Sequence, residues 1–292
     1  MGATSGAAGP SEVAALVGAE REAVRDRVLE RLGAWVELES PSGDAERITA
    51  LAGEIAAELE KAGAEVERRD AGDAGQNLIA RVPGLEPELE PVVVLCHMDT
   101  VHPVGTLVDQ PFRIVDDRAE GPGVYDMKAG IAVLAEALAL LARTGSGPRR
   151  PVHALISCDE EAGSLTALPI IEAEARDAAA VLVLEPPLPG GAAKTRRKGV
   201  ASYRLRVRGR AAHAGLQPER GVSATLELAH QLVRIAELAD PSRGTTVNIG
   251  MMEGGTAVNV VAADAFADVD VRFATEDECD RVDAAIRALE PV

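Results

Sequence analysis

Aromatic residues are nearly absent from this 292-residue chain, which has one Trp, two Tyr and three Phe. Its core must therefore be assembled from Ala, Val, Leu and Ile. Cysteine is scarce as well. Cys96, Cys158 and Cys279 are odd in number and form no C-x-x-C pair, which argues against a disulfide framework and for a reduced, cytoplasmic location. Positive charge is in deficit: 30 Lys and Arg face 47 Asp and Glu, a formal net charge of −17. Non-specific nucleic-acid binding, which neutralises phosphates with Lys and Arg, is disfavoured by that balance. No run approaches the ~18 consecutive apolar residues of a membrane span. The N-terminal stretch MGATSGAAGPSEVAALVGAERE has neither the basic nor the apolar segment of a secretory signal, and Gly6 breaks a myristoylation pattern.

What is present is ordinary globular material. With 47% hydrophobic and 26% charged residues, the chain lies far from disordered composition. At roughly 100–200 residues per domain, its length suggests two domains. The spacing of Val13, Leu16, Val17, Val24, Val28, Leu32 and Trp35 predicts a helix over about 11–38. The segment SPSGD ends it and offers Asp44 as the cap of a second helix, which carries Ile48, Leu51, Ile55 and Leu59 and stops near Gly63. Short β-like runs follow at 64–68 and 77–82. PVVVLCH, ending at His97, is continuous and β-branched like a strand buried on both faces, as are PVHALISC and AVLVLE. Helical patterns at 127–142 and 164–175 alternate with these strands. The order predicts an α/β fold with a mostly parallel central sheet and flanking helices.

After PPLPGG, a linker by composition, the pattern changes. SYRLRVRGR alternates strictly, and the remainder reads as a β-α-β-β-α series, a small α+β domain without a last strand. The expected domains are 1–195 and 196–292.

Acids and a histidine stand where the buried strands end: His97 and Asp99 in CHMDT, Glu160 and Glu161 in SCDEEAGS, and Glu185 in LEPP. Asp126, in GPGVYDMKAG, opens a helix. Ligands of open α/β sheets bind at the carboxyl ends of the strands, so four motifs converge on one crevice. An imidazole with several carboxylates suits zinc or a similar divalent ion, and carboxylates this close repel one another unless protonated or neutralised by metal. In the H-x-D pair, Asp99 can accept the imidazole N–H that faces away from a metal. Glu160 and Glu161 are neighbours, so one can bind metal while the other serves as general base.

HMDTVHPVG, GPGVYDMKAG, CDEEAGS and LEPP, in this order, resemble the co-catalytic zinc hydrolases that include glutamate carboxypeptidase, aminoacylase, acetylornithine deacetylase and succinyl-diaminopimelate desuccinylase. The wording around Asp126 is closest to the glutamate carboxypeptidase branch. The resemblance implies a zinc-peptidase-like catalytic domain and a ferredoxin-like lid that is also the usual dimerisation domain. It implies two zinc ions, with Co2+ or Mn2+ as substitutes, bridged by Asp126. His97 and Glu185 would hold one ion, Glu161 the other, and Glu160 would be the general base. His213, in GRAAHAGLQPERG, would stabilise the tetrahedral oxyanion, often across a dimer interface. Asn259 and Arg272 match positions that hold the substrate's terminal carboxylate.

Departures from the pattern are also legible. Cys96 stands where Gly is common, and Ala129 replaces a Gly after DMK. The family's closing segment, which returns to the catalytic domain and supplies a final histidine, has no counterpart before Val292, so the lid and the catalytic domain are expected to be incomplete. The implied function is hydrolysis of amide bonds in peptides or N-acyl amino acids, releasing a C-terminal amino acid such as glutamate. The alternatives are an acyl-diamino-acid deacylase or desuccinylase, and a catalytically inactive dimerising or ligand-binding remnant. Expected partners are a small-molecule substrate and a second copy of the chain, with no nucleic acid and no membrane. Outside these motifs the plainer readings hold. His102, His153 and His230 are lining or packing residues, Cys96 and Cys158 are small buried hydrophobes, and Arg204, Arg206, Arg208 and Arg210 form a solvated strand face. The sharper reading of those arginines, together with Lys194, Arg196, Arg197 and Lys198, is steering of an acidic substrate.

Overall fold

A computed structural model describes residues 10–143 and 147–292; the N-terminal expectations for residues 1–9 lie outside them. The chain forms two compact units, Met1–Pro187 and Leu188–Val292.

The first unit opens with α1 (Pro10–Ala19) and α2 (Arg21–Val36), two helices where the spacing predicted one. Asp44 caps α3 (Ala45–Lys61), its side chain accepting the Arg47 N–H at 3.1 Å. The apolar stripe Ile48, Leu51, Ile55 and Leu59 is fully buried. Next come β1 (Glu65–Asp70), β2 (Gln76–Val82), β3 (Val92–His97), the single turn α4 (Thr106–Asp109), and the small hairpin of β4 (Arg113–Val115) and β5 (Arg118–Glu120). The unit continues through α5 (Ala129–Arg143), β6 (Val152–Ser157), α6 (Leu168–Ala175) and β7 (Ala180–Val183).

Five strands form one sheet in the order β1-β2-β6-β3-β7. The sheet is mixed: β3 runs parallel to both β6 and β7, whereas β1–β2 and β2–β6 are antiparallel. The turn from Asp70 to Gln76 is too short for the crossover a parallel β1–β2 pair would need, so that edge folds as a hairpin. Successive residues of the central strands point to opposite faces. Leu78, Val94 and Ile156 join the main core under α2, α3 and α5, whereas Ile79 and Leu155 pack on the other side with Ile170 of α6. Cys96 and Cys158 are buried, and burial pushes the Cys158 thiol up to about 11, as small core residues would behave.

In the second unit, β8 (Gly199–Arg208), α7 (Ala224–Ala236), β9 (Thr246–Gly254), β10 (Asp264–Phe273) and α8 (Glu276–Arg287) follow in the predicted β-α-β-β-α order. The antiparallel sheet runs β8-β10-β9. Val269 and Val271 face α7 and α8 through Leu228, Leu232, Ile235 and Val282. The opposite face is solvated, and its arginines are not free charges. Arg204 is bound bidentately by Asp268 at 2.6 and 2.7 Å, and Arg206 by Asp264 at 2.9 Å. Cross-strand pairing thus neutralises Arg204 and Arg206, two members of the stripe that the sequence offered as a steering surface, whereas Arg210 donates to the Arg220 carbonyl.

Candidate active site

Three strands running in the same direction, β3, β6 and β7, deliver the site at one edge of the first unit's sheet. The chain leaving β3 carries His97 and Asp99, that leaving β6 carries Glu160 and Glu161, and that leaving β7 carries Glu185. Asp126 comes from an irregular turn, Val124–Lys128, whose Lys128 N–H donates to the Gly123 carbonyl at 2.9 Å. Gly123 has a φ of +66°, and a Cβ there would meet the Thr100 side chain at 2.6 Å, so only glycine admits the turn.

His97 is 1% exposed and ties the motifs together. Its Nδ1 lies 2.9 Å from the Asp99 backbone carbonyl, and its Nε2 lies 2.9 Å from Asp126 Oδ1 and 3.2 Å from Glu185 Oε1. With Nδ1–H directed to the carbonyl, Nε2 faces the carboxylates as a ligand atom should. Burial lowers the His97 pKa, but the Asp99 and Glu185 carboxylates outweigh it and hold the imidazole up at about 11. Asp99 does more than the H-x-D spacing implied. Its carboxylate is 3.5 Å from His97 Nδ1, and it accepts the backbone N–H groups of both Glu160 and Glu161, each at 3.1 Å. One buried aspartate therefore fixes the imidazole and the paired glutamates.

Two groups of donor atoms each lie within 4.8 Å of one another: His97 with Glu160 and Glu185, and His97 with Asp126 and Glu161. Glu160, expected as the base, sits in the first group where Asp126 was expected, and both groups share the one imidazole. Among the described residues, no Lys or Arg forms an ion pair with Asp126, Glu160 or Glu161. The nearest lysine in sequence is turned away, since Lys128 Nζ donates to the carbonyls of Trp35 and Leu38 at 3.0 and 2.9 Å. Burial raises the Glu160 carboxyl; His97 pulls it down, and Glu185, Asp99 and Asp126 push it up. Glu161 is raised by burial and by Asp126. Asp126, Glu160 and Glu161, gathered with Glu185 around one imidazole, form a donor set that fits a divalent cation.

Sequence reasoning missed Ser42 and Lys128. Ser42 belongs to SPSGD, which reads as a helix break, and Lys128 is 1% exposed although lysine is a surface residue by type.

His213 and Asn259 lie in the second unit and are brought together there. The Ala214 N–H donates to the Asn259 carbonyl at 3.0 Å, and His213 bridges Val260. His213 Nδ1 accepts the N–H groups of Gly215 and Leu216 at 3.1 and 3.2 Å, so the ring proton resides on Nε2. Arg272 is not near them. It stands at the far end of β10, eight residues beyond Asp264 and so roughly 26 Å away along the strand. Its Nε donates to Asp270 at 2.8 Å. His153, on β6, is a satisfied residue as read: its Nδ1 pairs with Glu174 at 2.7 Å, in a cluster with Arg81.

Residues 77–195 match the model of peptidase family M28, and residues 195–289 match the peptidase dimerisation domain of family M20. Over 266 residues the chain is 33% identical to carboxypeptidase G2 of Pseudomonas sp. strain RS-16, covering 90% of this chain and 63% of that protein. By these matches the chain is similar to peptidases of families M20 and M28. Its fold agrees with those of solved peptidases. Aminopeptidase PepT from Bacillus cereus superposes with a TM-score of 0.71 at 24% identity, over 90% of this chain and 70% of that one. An M20 family metallo-carboxypeptidase from Sulfolobus solfataricus does so with a TM-score of 0.69 at 17% identity, over 89% and 75%. The chain thus spans less than two thirds of the carboxypeptidase it matches. No helix among the described residues is long and apolar enough to cross a membrane.

Proposed function

We propose that this chain is a metal-dependent amide hydrolase acting on peptides or N-acyl amino acids, of the carboxypeptidase type, releasing a C-terminal residue such as glutamate. The convergence of His97, Asp126, Glu160, Glu161 and Glu185 at the ends of three parallel strands carries this reading. It is supported by the 33% identity to carboxypeptidase G2.

His97, Asp126, Glu161 and Glu185 would hold the metal, two zinc ions in the full pattern. Bound there, zinc would polarise the scissile carbonyl and bring the pKa of water toward ~7. Glu160 is the general base. Its raised pKa moves it closer to the neutral range in which a carboxylate can both take a proton from the attacking water and return it to the leaving amine. Asp99 positions that base through the backbone of residue 160. His213, with its proton on Nε2, offers a donor to the developing oxyanion, and Asn259 in the adjoining segment contacts the substrate. Because Arg272 is at the other end of β10, one protomer cannot close both Asn259 and Arg272 on the same carboxylate. The second unit would pair two copies of the chain, in keeping with its dimerisation-domain match.

Elemental analysis after gel filtration tests the metal reading. About two zinc ions per chain are expected; one ion would reduce the site to a mononuclear centre on the shared imidazole, and none would defeat the proposal. A panel of N-acyl amino acids and dipeptides then tests Glu160→Gln. A fall in kcat of about 10²–10⁴-fold with metal retained is expected. Unchanged turnover would remove Glu160 from the mechanism.

A further inference from the structure

Asp126 is aimed by its backbone rather than by its own side chain. The carboxylate is 56% exposed, and among the described residues its one polar partner is His97 Nε2 at 2.9 Å. Asp99, by contrast, is tied by the Ser42 hydroxyl and two backbone N–H groups. What directs Asp126 is therefore the turn it stands on, and the two residues that follow it hold that turn from opposite sides.

Met127 is 1% exposed. β3 pairs with β7 only as far as Leu95 and Val183, and the Leu184 N–H closes that ladder on the Leu95 carbonyl at 3.1 Å. His97 lies one pleat further on, so its buried N–H meets no strand on that side. Met127 Sδ accepts it instead, at 3.1 Å. A buried N–H left unpaired is costly, so even a weak sulfur acceptor favours this seat for the side chain.

Lys128 is equally buried. Its ammonium donates to the Trp35 and Leu38 carbonyls at 3.0 and 2.9 Å, at the C-terminal end of α2. The last carbonyls of a helix lack helical partners there, and the helix dipole favours a cation. The chain continuing from that end also holds the loop after β3. Glu39 accepts the N–H groups of Gly105 and Leu107, Ser40 donates to the Met98 carbonyl at 2.7 Å, and Ser42 donates to Asp99. Lys128 thus fastens the Asp126 turn to the same strap, residues 35–42, that steadies Asp99.

We propose that Met127 and Lys128 are positioning residues for Asp126. The sulfur fixes the turn to the backbone of His97, the ammonium fixes it to the end of α2, and the carboxylate stays within reach of His97 and Glu161. The inference rests on the metal reading of that group. Neither side chain is a ligand; each acts through the backbone of the turn.

Two variants of the full chain test it. Met127→Leu keeps the volume and removes the acceptor, and Lys128→Met removes the donors from an unbranched side chain. Glu136→Gln is the control, since it loosens α2 from α5 without a contact to the turn. Amide hydrogen exchange of the metal-free protein reads opening of residues 123–130, and competition with a chelator reads zinc affinity. In both variants exchange in that segment should rise about tenfold, and zinc affinity should fall by about 10–100-fold. The control should lower the midpoint of urea unfolding and leave both readings within about twofold. Should Lys128→Met fail to fold, Met127→Leu decides the matter. Faster exchange with unchanged zinc affinity would overturn the positioning role, as would losses in the control equal to those in the variants. A parent that binds no zinc would overturn the metal reading and this inference with it. A parent that binds zinc, beside variants that bind it as tightly, would overturn this inference alone.

Discussion

Ser42 donates its hydroxyl to Asp99 Oδ2 at 2.7 Å. The contact arises because residues 40–42 run beside 98–100: the Thr100 N–H donates to the Ser40 carbonyl at 2.9 Å and the Ser42 N–H to the Thr100 carbonyl at 3.1 Å. Since Asp99 also receives the N–H groups of Glu160 and Glu161, the hydroxyl steadies the aspartate that orients the site. Partners of this kind typically contribute 10–100-fold to metal affinity, so Ser42→Ala should weaken zinc binding by about 10-fold. Competition with a chelator measures it. Ser42→Thr, which keeps the hydroxyl, should recover most of the loss; an alanine variant that holds zinc as tightly as the parent would assign Ser42 no positioning role.

Gly130 lets the start of α5 approach the end of β7. A Cβ at that position would overlap the Leu184 carbonyl oxygen, and Leu184 immediately precedes Glu185. Gly130→Ala should therefore displace Glu185 from His97 and lower metal affinity, although alanine favours a helix by about 1 kcal/mol over glycine. Metal titration beside helical circular dichroism separates the two effects. Tighter metal binding in a more helical variant would show that the close approach does not set Glu185.

Glu136 of α5 is 2% exposed and accepts from three arginines, Arg27 at 2.8 Å, Arg31 at 3.1 Å and Arg143 at 3.0 Å. This cluster fastens α2 to α5 beneath the sheet. Replacing the carboxylate with an amide in Glu136→Gln removes charge-assisted hydrogen bonds worth about 1.5–3 kcal/mol, which should appear as a lower midpoint in urea unfolding of the first unit. An unshifted midpoint would mean that the arginines recover their hydration in full.

Glu278 governs acid stability in the second unit. Arg281 and the Thr245 hydroxyl hydrogen-bond its carboxylate, with Arg243 adding attraction, and hold its pKa down at about 2. A carboxylate depressed in the folded state contributes stability that is present above its unfolded pKa and lost as pH falls toward the folded value. Stability of this unit should therefore decline between pH ~4.5 and ~2. In Glu278→Gln that slope should flatten, with lower stability at neutral pH. An identical pH profile in the two proteins would contradict the assignment.

Much of the first unit could be read from residue order alone. The β-branched runs before His97, Glu160 and Glu185 form strands as read, although β7, at the sheet edge, is exposed along Ala180–Val183 rather than buried, and three of the four acid-bearing motifs follow these strands directly, so the metal-ligand candidates were legible. The Asp44 cap and the Ile48–Leu59 stripe were equally plain, because both are local in sequence. Less legible was anything decided by strands far apart in the chain. The alternation in SYRLRVRGR showed that its arginines share a face, but not that Asp264 and Asp268 of β10 would sit opposite them.

Sequence by itself determined the α/β class, the positions of the strand-end acids and the resemblance to a metal-dependent peptidase family, since periodicity and motif order are properties of neighbouring residues. Tertiary structure decided which groups share space. It turned Asp99 toward the backbone of Glu160 and Glu161, aimed Lys128 at the carbonyls of Trp35 and Leu38, and separated Arg272 from Asn259 by the length of β10. Those outcomes depend on strand register and on how buried polar groups find partners, and both are set by residues tens of positions apart.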